Sequence, residues 1–280
     1  MQPIDMRILI HETDDVYQAK SSGYLTSHHL AHFRKNPLLY HKRRLGLVPE
    51  EADKLSYQIG RAAHRLILEG RKSFEASYAI GGPVNPKTHE VYHKKTKAYA
   101  KWVEAQRKPV LTFDEAALIE NLNASVKAHQ AAARLLSAGA AEGVIRAKYR
   151  GMLCQMRLDW LNPERGIVDL KTTGGKAPLP PFMQTGDLTT FEVDARMYGY
   201  IYQLAFYRSV LAEIVHEYVP CHIIAVEKQE PFRCGVWLVG EDALAAAQKE
   251  NEQAMDRLKL CEQTGVWPTG FEEVRTFGCL

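Results

Sequence analysis

One short stretch of the chain constrains its fold more than any other. From Arg157 to Thr173 the sequence reads RLDWLNPERGIVDLKTT, two apolar runs separated by a turn that contains proline and glycine. Such a pair of runs is typical of a β-hairpin. Because successive side chains of a strand point to opposite faces, Asp169 and Lys171 share one face, and Val168 and Leu170 share the other. The pattern predicts a strand with one face for a hydrophobic core and one charged face.

The charged face of this hairpin, with Asp159 at the end of the first apolar run, predicts a metal site. Charges within apolar strands are costly to bury unless they are paired or bind a ligand. Hard divalent cations such as Mg²⁺ prefer oxygen ligands, which Asp159, Asp169 and the backbone carbonyl of Leu170 would supply. Lys171 would orient or help to deprotonate the attacking water, or neutralise charge on a phosphate. A surface hairpin with a cross-strand salt bridge fits the same spacing.

The remainder of the chain divides at Gly139 into a helical half and a mixed half. Periodicity and capping signals predict helices over 26–35, 55–69, 88–106 and 113–137. Beyond Gly139 the sequence predicts strands over 144–149, 152–161, 167–171, 218–227 and 232–239, and helices over 192–215 and 241–264. We therefore predict one domain over 1–280, in which a helical region (1–139) precedes an α/β core with a mixed sheet (140–280).

The helix predicted over 192–215 carries a polar stripe. Gln203 and Tyr207 are four residues apart and lie on one face, and Tyr200 lies one turn earlier. This stripe would reach phosphate or base edges near the metal. The alternative is a buried aromatic helix whose tyrosine hydroxyls are satisfied locally.

Taken together, these motifs resemble the PD-(D/E)XK nuclease superfamily. The shared pattern is an acid that ends a strand, a turn, the sequence apolar-apolar-Asp-x-Lys-Thr-Thr, and a helix with Gln-x-x-x-Tyr. The chain is most similar to the RecB-like and RecE-like, phage-type exonuclease branch. Its segment GRAAHRLILE, from Gly60 to Glu69, is similar to the Gly-x-x-x-His helix of that branch, which implies that His64 joins the metal site. Segments 25–40 and 267–268 extend the resemblance over most of the chain.

Two residues depart from the superfamily pattern. Leu158 stands where the superfamily name has proline, and Asp169 replaces glutamate, which shortens the reach of the carboxylate by one methylene. Neither change removes a metal ligand. The resemblance therefore still implies a restriction-endonuclease-like core behind the N-terminal helical region.

The resemblance also implies a function, a metal-dependent DNA exonuclease that uses Mg²⁺, with Mn²⁺ as a substitute. Such an enzyme would hydrolyse linear double-stranded DNA from 5′ to 3′ and leave 3′ single-stranded tails for recombination. The implied partners are double-stranded DNA, further copies of the chain in a closed ring, and a single-strand annealing or recombinase protein. Two alternatives stay open: a DNA endonuclease of the same fold, and a non-catalytic nuclease-like protein that binds DNA.

Other polar residues are candidates for DNA contacts or for support of the metal ligands. Ser27, Arg34 and Arg61 would bind DNA phosphates, and Tyr200 would contact the DNA beside the metal, although each could be a solvated or locally satisfied side chain. Glu142 begins the first strand and would contact the metal ligands without binding the metal itself. The net charge of +3 does not by itself indicate nucleic acid, but three local basic clusters are compatible with a DNA-binding groove.

Composition excludes several classes of protein and cofactor. No apolar run approaches the ~20 residues that cross a bilayer, and the N-terminus lacks a signal-peptide pattern. The five cysteines form no CxxC pair, which favours reduced thiols in the cytoplasm. None of them precedes Cys154, which excludes the iron–sulfur cluster that some nucleases of this type carry.

Overall fold

A computed structural model describes residues 3–48, 55–174, 187–274 and 276 of the chain. The helices that precede the main sheet are α1 (Asp14–Lys20), α2 (Ser27–Lys35), α3 (Pro37–Arg44), α4 (Leu55–His64), α5 (Arg71–Ser77), α6 (Lys97–Glu104), α7 (Phe113–Ala128) and α8 (Gln130–Leu135). Two short strands among them, β1 (Ala79–Ile80) and β2 (Val110–Leu111), form a parallel pair. The main sheet contains β3 (Ala140–Tyr149), β4 (Met152–Asn162), β5 (Gly166–Thr173), β6 (Cys221–Glu227) and β7 (Cys234–Leu238). The helices of this half are α9 (Phe191–Met197), α10 (Tyr200–Val215) and α11 (Glu241–Thr264).

The five strands of the main sheet lie in chain order, β3-β4-β5-β6-β7, and all five were predicted. β3, β4 and β5 are antiparallel neighbours, as are β6 and β7. β5 and β6 are parallel because the chain crosses between them through α9 and α10. The predicted hairpin is confirmed, since Asn162 pairs with Gly166 across its turn. Glycine is needed at 166, where φ is 80° and a Cβ atom would collide with the carbonyl oxygen of Pro220.

Helices cover both faces of this sheet and enclose two hydrophobic clusters. α2, α10 and α11 pack on one face, and α4 and α7 pack on the other. Val168 and Leu170 are buried in the cluster beneath α4 and α7, whereas Ile167 belongs to the cluster beneath α10. The predicted alternation along β5 is therefore confirmed. A register shift of one residue would move Asp169 and Lys171 into the apolar cluster beneath α4 and α7, so the burial of Val168 and Leu170 there fixes the positions of the two charged residues.

The helices predicted over 55–69 and 241–264 are both present. The first is α4, which continues as a π-helical turn over Arg65–Glu69 and ends at Gly70 (φ 88°). The second is α11, which ends before Gly265 in the left-handed conformation (φ 70°). Within the described ranges, none of the helices combines the length and the apolarity needed to cross a bilayer.

The helix predicted over 88–106 is shorter than expected. Its N-terminal part is a loop, and α6 begins only after Thr96, whose hydroxyl accepts a hydrogen bond from the backbone N–H of Tyr99. A threonine in this capping position stabilises the start of a helix. The cap, rather than the side-chain periodicity, sets the boundary.

Two further predicted helices are each divided in two. The helix over 113–137 breaks at His129, whose ring accepts a hydrogen bond from a backbone N–H and caps α8. The helix over 192–215 breaks at Gly199, which takes the left-handed conformation (φ 75°) between α9 and α10. Both breaks depend on the conformation of one residue, which apolar periodicity does not encode.

Candidate active site

The β4–β5 ladder opens at the two predicted acids. Its last pair joins Trp160 to Val168, so Asp159 and Asp169 occupy the next opposed positions, beyond the paired part. There the backbone N–H of Leu170 donates to Asp159 Oδ2 (2.8 Å) instead of to a strand carbonyl. Both carboxylates belong to this opening, and burial together with the charge of Asp159 raises the pKa of Asp169.

Asp169 and Lys171 form a buried ion pair on β5. Only 2% of the Asp169 side chain is exposed, and Lys171 Nζ lies 2.6 Å from its Oδ2. Burial raises the pKa of the Asp169 carboxyl, although the charge of Lys171 acts in the opposite direction. Asp169 Oδ1 is also buried and accepts no hydrogen bond from the described residues. A buried carboxylate oxygen without a donor is rare in proteins, and its position here fits a cation bound between the two acids.

His64 contacts the other acid from the end of α4. Its Nε2 lies 3.2 Å from Asp159 Oδ2, and its Nδ1 lies 2.8 Å from the carbonyl oxygen of Gly60. Burial disfavours the charged imidazole, but the charge and the hydrogen bond of Asp159 prevail and raise the pKa of His64. The π-helical turn that follows is a feature frequently found at functional sites. The structure thus places His64 beside Asp159, and its role as a metal ligand stays a prediction.

The polar stripe of α10 lies against the same ion pair. Lys171 Nζ donates to Gln203 Oε1 (3.3 Å), and Gln203 Nε2 donates to the hydroxyl of Tyr207 (3.0 Å). Lys171 Nζ also lies 4.7 Å from the centre of the Tyr200 ring, a cation–π contact. The Tyr207 hydroxyl is hydrogen-bonded to Ser27 at the start of α2. The stripe is therefore largely buried and its polar atoms are paired within the protein, with Gln203 directed to Lys171. Contact of this stripe with phosphate or base edges stays a prediction.

The donor set suits a hard divalent cation. Asp159 and Asp169 supply the carboxylate oxygens that Mg²⁺ and Mn²⁺ prefer, and His64 supplies an imidazole. In the part of the chain that the structure describes, no three His, Cys, Asp or Glu side chains form a closed metal cluster. His64 and Lys171 instead neutralise one acid each. The carbonyl of Leu170 stays a predicted ligand, since the contact seen with Asp159 is made by its N–H.

The predicted phosphate-binding residues Arg34 and Arg61 have different surroundings in the structure. Arg34 is engaged within the protein, since its guanidinium donates to Asn251 Oδ1 (2.7 Å) and stacks on the Tyr202 ring at 3.6 Å. Arg61 is exposed on α4, one turn before His64, and lines a cavity of about 400 Å³. The phosphate-binding roles stay predictions, and the internal contacts of Arg34 argue against its own.

Glu142 and Arg157 also belong to the site, although the sequence pointed to them weakly or not at all. The β3–β4 register pairs the residues on either side and leaves Glu142 and Asp159 opposed but unpaired. Glu142 has a φ of 54°, which is uncommon for a residue with a Cβ atom, and its Oε2 lies 2.9 Å from Arg157 Nε. Burial and the charge of Asp159 raise the pKa of Glu142 to about 7. Strand alternation, which places Arg157 and Asp159 on one face of β4, is the signal that could have revealed Arg157.

The fold and the site together define a class of protein. A mixed sheet with two acids at an opened hairpin, a lysine two residues after the second acid, and a Gln-x-x-x-Tyr helix against that lysine is the arrangement of a PD-(D/E)XK nuclease fold. The chain belongs to the family described as a PDDEXK-like domain of unknown function (DUF3799), which matches residues 30–277. The predicted superfamily and the predicted α/β fold class are thereby confirmed.

Comparison with solved structures gives the same fold. The chain is similar to the crystal structure of a proposed exonuclease from Eubacterium rectale, with a TM-score of 0.66 and 16% sequence identity over 97% of each chain. At this level of identity the likeness establishes the fold alone. No curated protein matches the chain.

Proposed function

We propose that this protein is a metal-dependent DNA exonuclease that digests linear double-stranded DNA from the 5′ end. The observation that carries the proposal is the convergence of Asp159, Asp169 and Lys171, with His64 and Gln203, between α4 and α10. Grouping two carboxylates and a lysine inside the protein is costly for stability. A catalytic site is the physical reason to retain them together.

Each residue has a distinct part in phosphodiester hydrolysis. Asp159, Asp169 and His64 would hold Mg²⁺ or Mn²⁺, which when bound polarises the phosphate and activates water. The Lys171 ammonium has three donors, of which Asp169 and Gln203 engage two. The third can be donated to a phosphate oxygen or to the attacking water, which orients the water and neutralises developing charge.

Two observations favour an exonuclease over the alternatives. The order of the motifs resembles the exonuclease branch of the superfamily, and the similar protein from Eubacterium rectale is described as a proposed exonuclease. The intact set of Asp159, Asp169 and Lys171 argues against a non-catalytic DNA-binding protein, because loss of catalysis would remove the reason to bury these charges.

The proposed partners follow from the same assignment. Copies of this chain would assemble into a closed ring around the DNA, and a single-strand annealing or recombinase protein would take the 3′ tail that digestion leaves. The molar mass of the protein in solution decides the first of these proposals, since a monomer that digests DNA at full rate would exclude a ring.

Substrate topology is expected to separate an exonuclease from an endonuclease. A linear duplex should be degraded while a covalently closed circle persists, because an exonuclease requires a strand end. With each strand labelled separately, the 5′ label should be released before the 3′ label. A nicked circle shows whether an internal end suffices. Cutting of the closed circle at a rate similar to that of the linear duplex would establish the endonuclease instead.

Cleavage is expected to require Mg²⁺ or Mn²⁺ and to stop in excess chelator, because the two carboxylates need a hard cation to act on a phosphate. Ca²⁺ should support DNA binding with little turnover, since its looser coordination positions water poorly. Initial cleavage rates and fluorescence anisotropy, measured with each ion on the same duplex, test both statements. Full activity after exhaustive chelation would refute the metal-dependent mechanism.

A further inference from the structure

The end of α9 presents an exposed aromatic side chain next to the proposed catalytic residues. Tyr198 is 62% exposed, and its ring stacks on that of Tyr200 with the centroids 5.9 Å apart and the planes at 26°. Tyr200 in turn lies 4.7 Å from Lys171 Nζ. The Tyr200 ring therefore contacts both Lys171 and the Tyr198 ring.

Gly199 produces this arrangement. Residues two apart in a continuous helix do not face each other. Gly199 is left-handed (φ 75°), so only Tyr198 and Gly199 separate α9 from α10, and the tyrosines that flank Gly199 come into contact. Behind them, Tyr200 packs against the buried ring of Phe191, which itself packs against Trp237 with centroids 4.6 Å apart. The stack is thus anchored in the core and presents Tyr198 at its exposed end.

Two exposed apolar side chains of α9 precede Tyr198 in the chain. Val193 and Met197 are four residues apart on this helix and are 51% and 64% exposed, whereas Phe191 and Ala195 are buried. Single exposed apolar side chains are ordinary on a protein surface. Neighbouring ones beside a catalytic site indicate a binding surface for a ligand with apolar faces.

We propose that Tyr198, flanked by Met197, is a stacking site for an unpaired nucleobase of the strand that is cut. This inference rests on the proposed function. Aromatic side chains bind the faces of unstacked bases without regard to sequence. Lys171 would hold the phosphate, and Tyr198, whose ring stacks on the Tyr200 ring beside Lys171, would take a base of the same strand. A base can stack there only after it leaves its partner, so the site would hold the end of the duplex open.

The experiment uses a short duplex whose 5′-terminal base is an unpaired 2-aminopurine, with Ca²⁺ present for binding and quenching, and cleavage of the same duplex followed in a parallel sample with Mg²⁺. Stacking on Tyr198 should quench the fluorescence of this base. Tyr198→Ala should abolish the quenching and weaken binding of the duplex roughly five-fold to 100-fold, the range found for loss of one base–aromatic stack. Tyr198→Phe retains the ring and should restore both signals. Leu153→Ala is the matched control, an exposed apolar residue near the start of β4, six residues before Asp159, that should leave both unchanged.

Cleavage of linear duplex by the parental protein is measured first, because it tests the proposed function independently of Tyr198. If the parental protein cleaves, and Tyr198→Ala quenches and binds as the parental protein does, the stacking site is wrong and the nuclease proposal stands. If the parental protein quenches through Tyr198 but never cleaves, the site binds bases and the nuclease proposal fails. Absence of both signals in the parental protein overturns both.

Discussion

Replacing Lys171 with alanine is expected to lower the rate of DNA cleavage by at least about 100-fold, the loss typical of removing a preorganised donor from developing charge. Lys171 is held in place by Asp169, Gln203 and the ring of Tyr200. A lysine on the protein surface, which lacks these contacts, could not replace its ammonium group in this position. DNA binding should stay nearly unchanged, because affinity for a duplex is spread over many phosphate contacts. Initial rates with Mg²⁺ and anisotropy with Ca²⁺ measure the two effects separately.

Lys148→Ala is the matched control for this variant. Lys148 is exposed on β3, so its replacement removes the same charge without touching the site. Circular dichroism of both variants establishes that they fold. A Lys171→Ala protein that digests duplex at the parental rate would remove Lys171 from the mechanism. Equal losses in the two variants would indicate a general effect of net charge on DNA binding.

Much of this site could be predicted because it is built from short-range patterns. Strand alternation places Asp169 and Lys171 on one face of β5, and the hairpin turn before β5 places Asp159 of β4 opposite Asp169. The four-residue spacing of a helix aligned Gln203 with Tyr207. These patterns depend only on residues that are close in sequence, and local geometry is what a sequence encodes most directly.

Other features depend on single backbone conformations or on distant pairings, which a local pattern does not contain. Glu142 reaches the site with a positive φ, and Gly199 divides a helix that periodicity predicted as continuous. The local sequence around Arg34 does not reveal its internal partner, because that partner, Asn251, is 217 residues away in sequence. His64 was assigned only by resemblance, since nothing in its own helix indicates the acid that it contacts.

Breaking the Asp169–Lys171 pair from one side is expected to lower the free energy of unfolding by about 3–5 kcal/mol, whereas replacing both residues should leave it unchanged or raise it. The single changes, Asp169→Val and Lys171→Met, each leave a buried charge without its partner. The double variant replaces both charges with apolar side chains of similar size. All three should be inactive, so chemical denaturation in chelator, analysed as a double-mutant cycle, measures stability apart from function.

The pH dependence of the two single variants should differ in a definite direction. Loss of Lys171 removes the charge that lowers the pKa of Asp169, so burial raises that pKa further in Lys171→Met. A carboxyl whose folded-state pKa exceeds its unfolded value of about 3.9 favours folding at low pH and disfavours it as pH rises through the folded-state pKa. The loss of stability in Lys171→Met should therefore shrink in acid and grow toward neutral pH, while Asp169→Val lacks this carboxyl and should not show this pH dependence.

The double variant decides what the pair contributes. A double variant as unstable as the less stable single variant would mean that the pair stabilises the fold. A stable and inactive double variant would mean that this pair is retained for chemistry at the expense of stability.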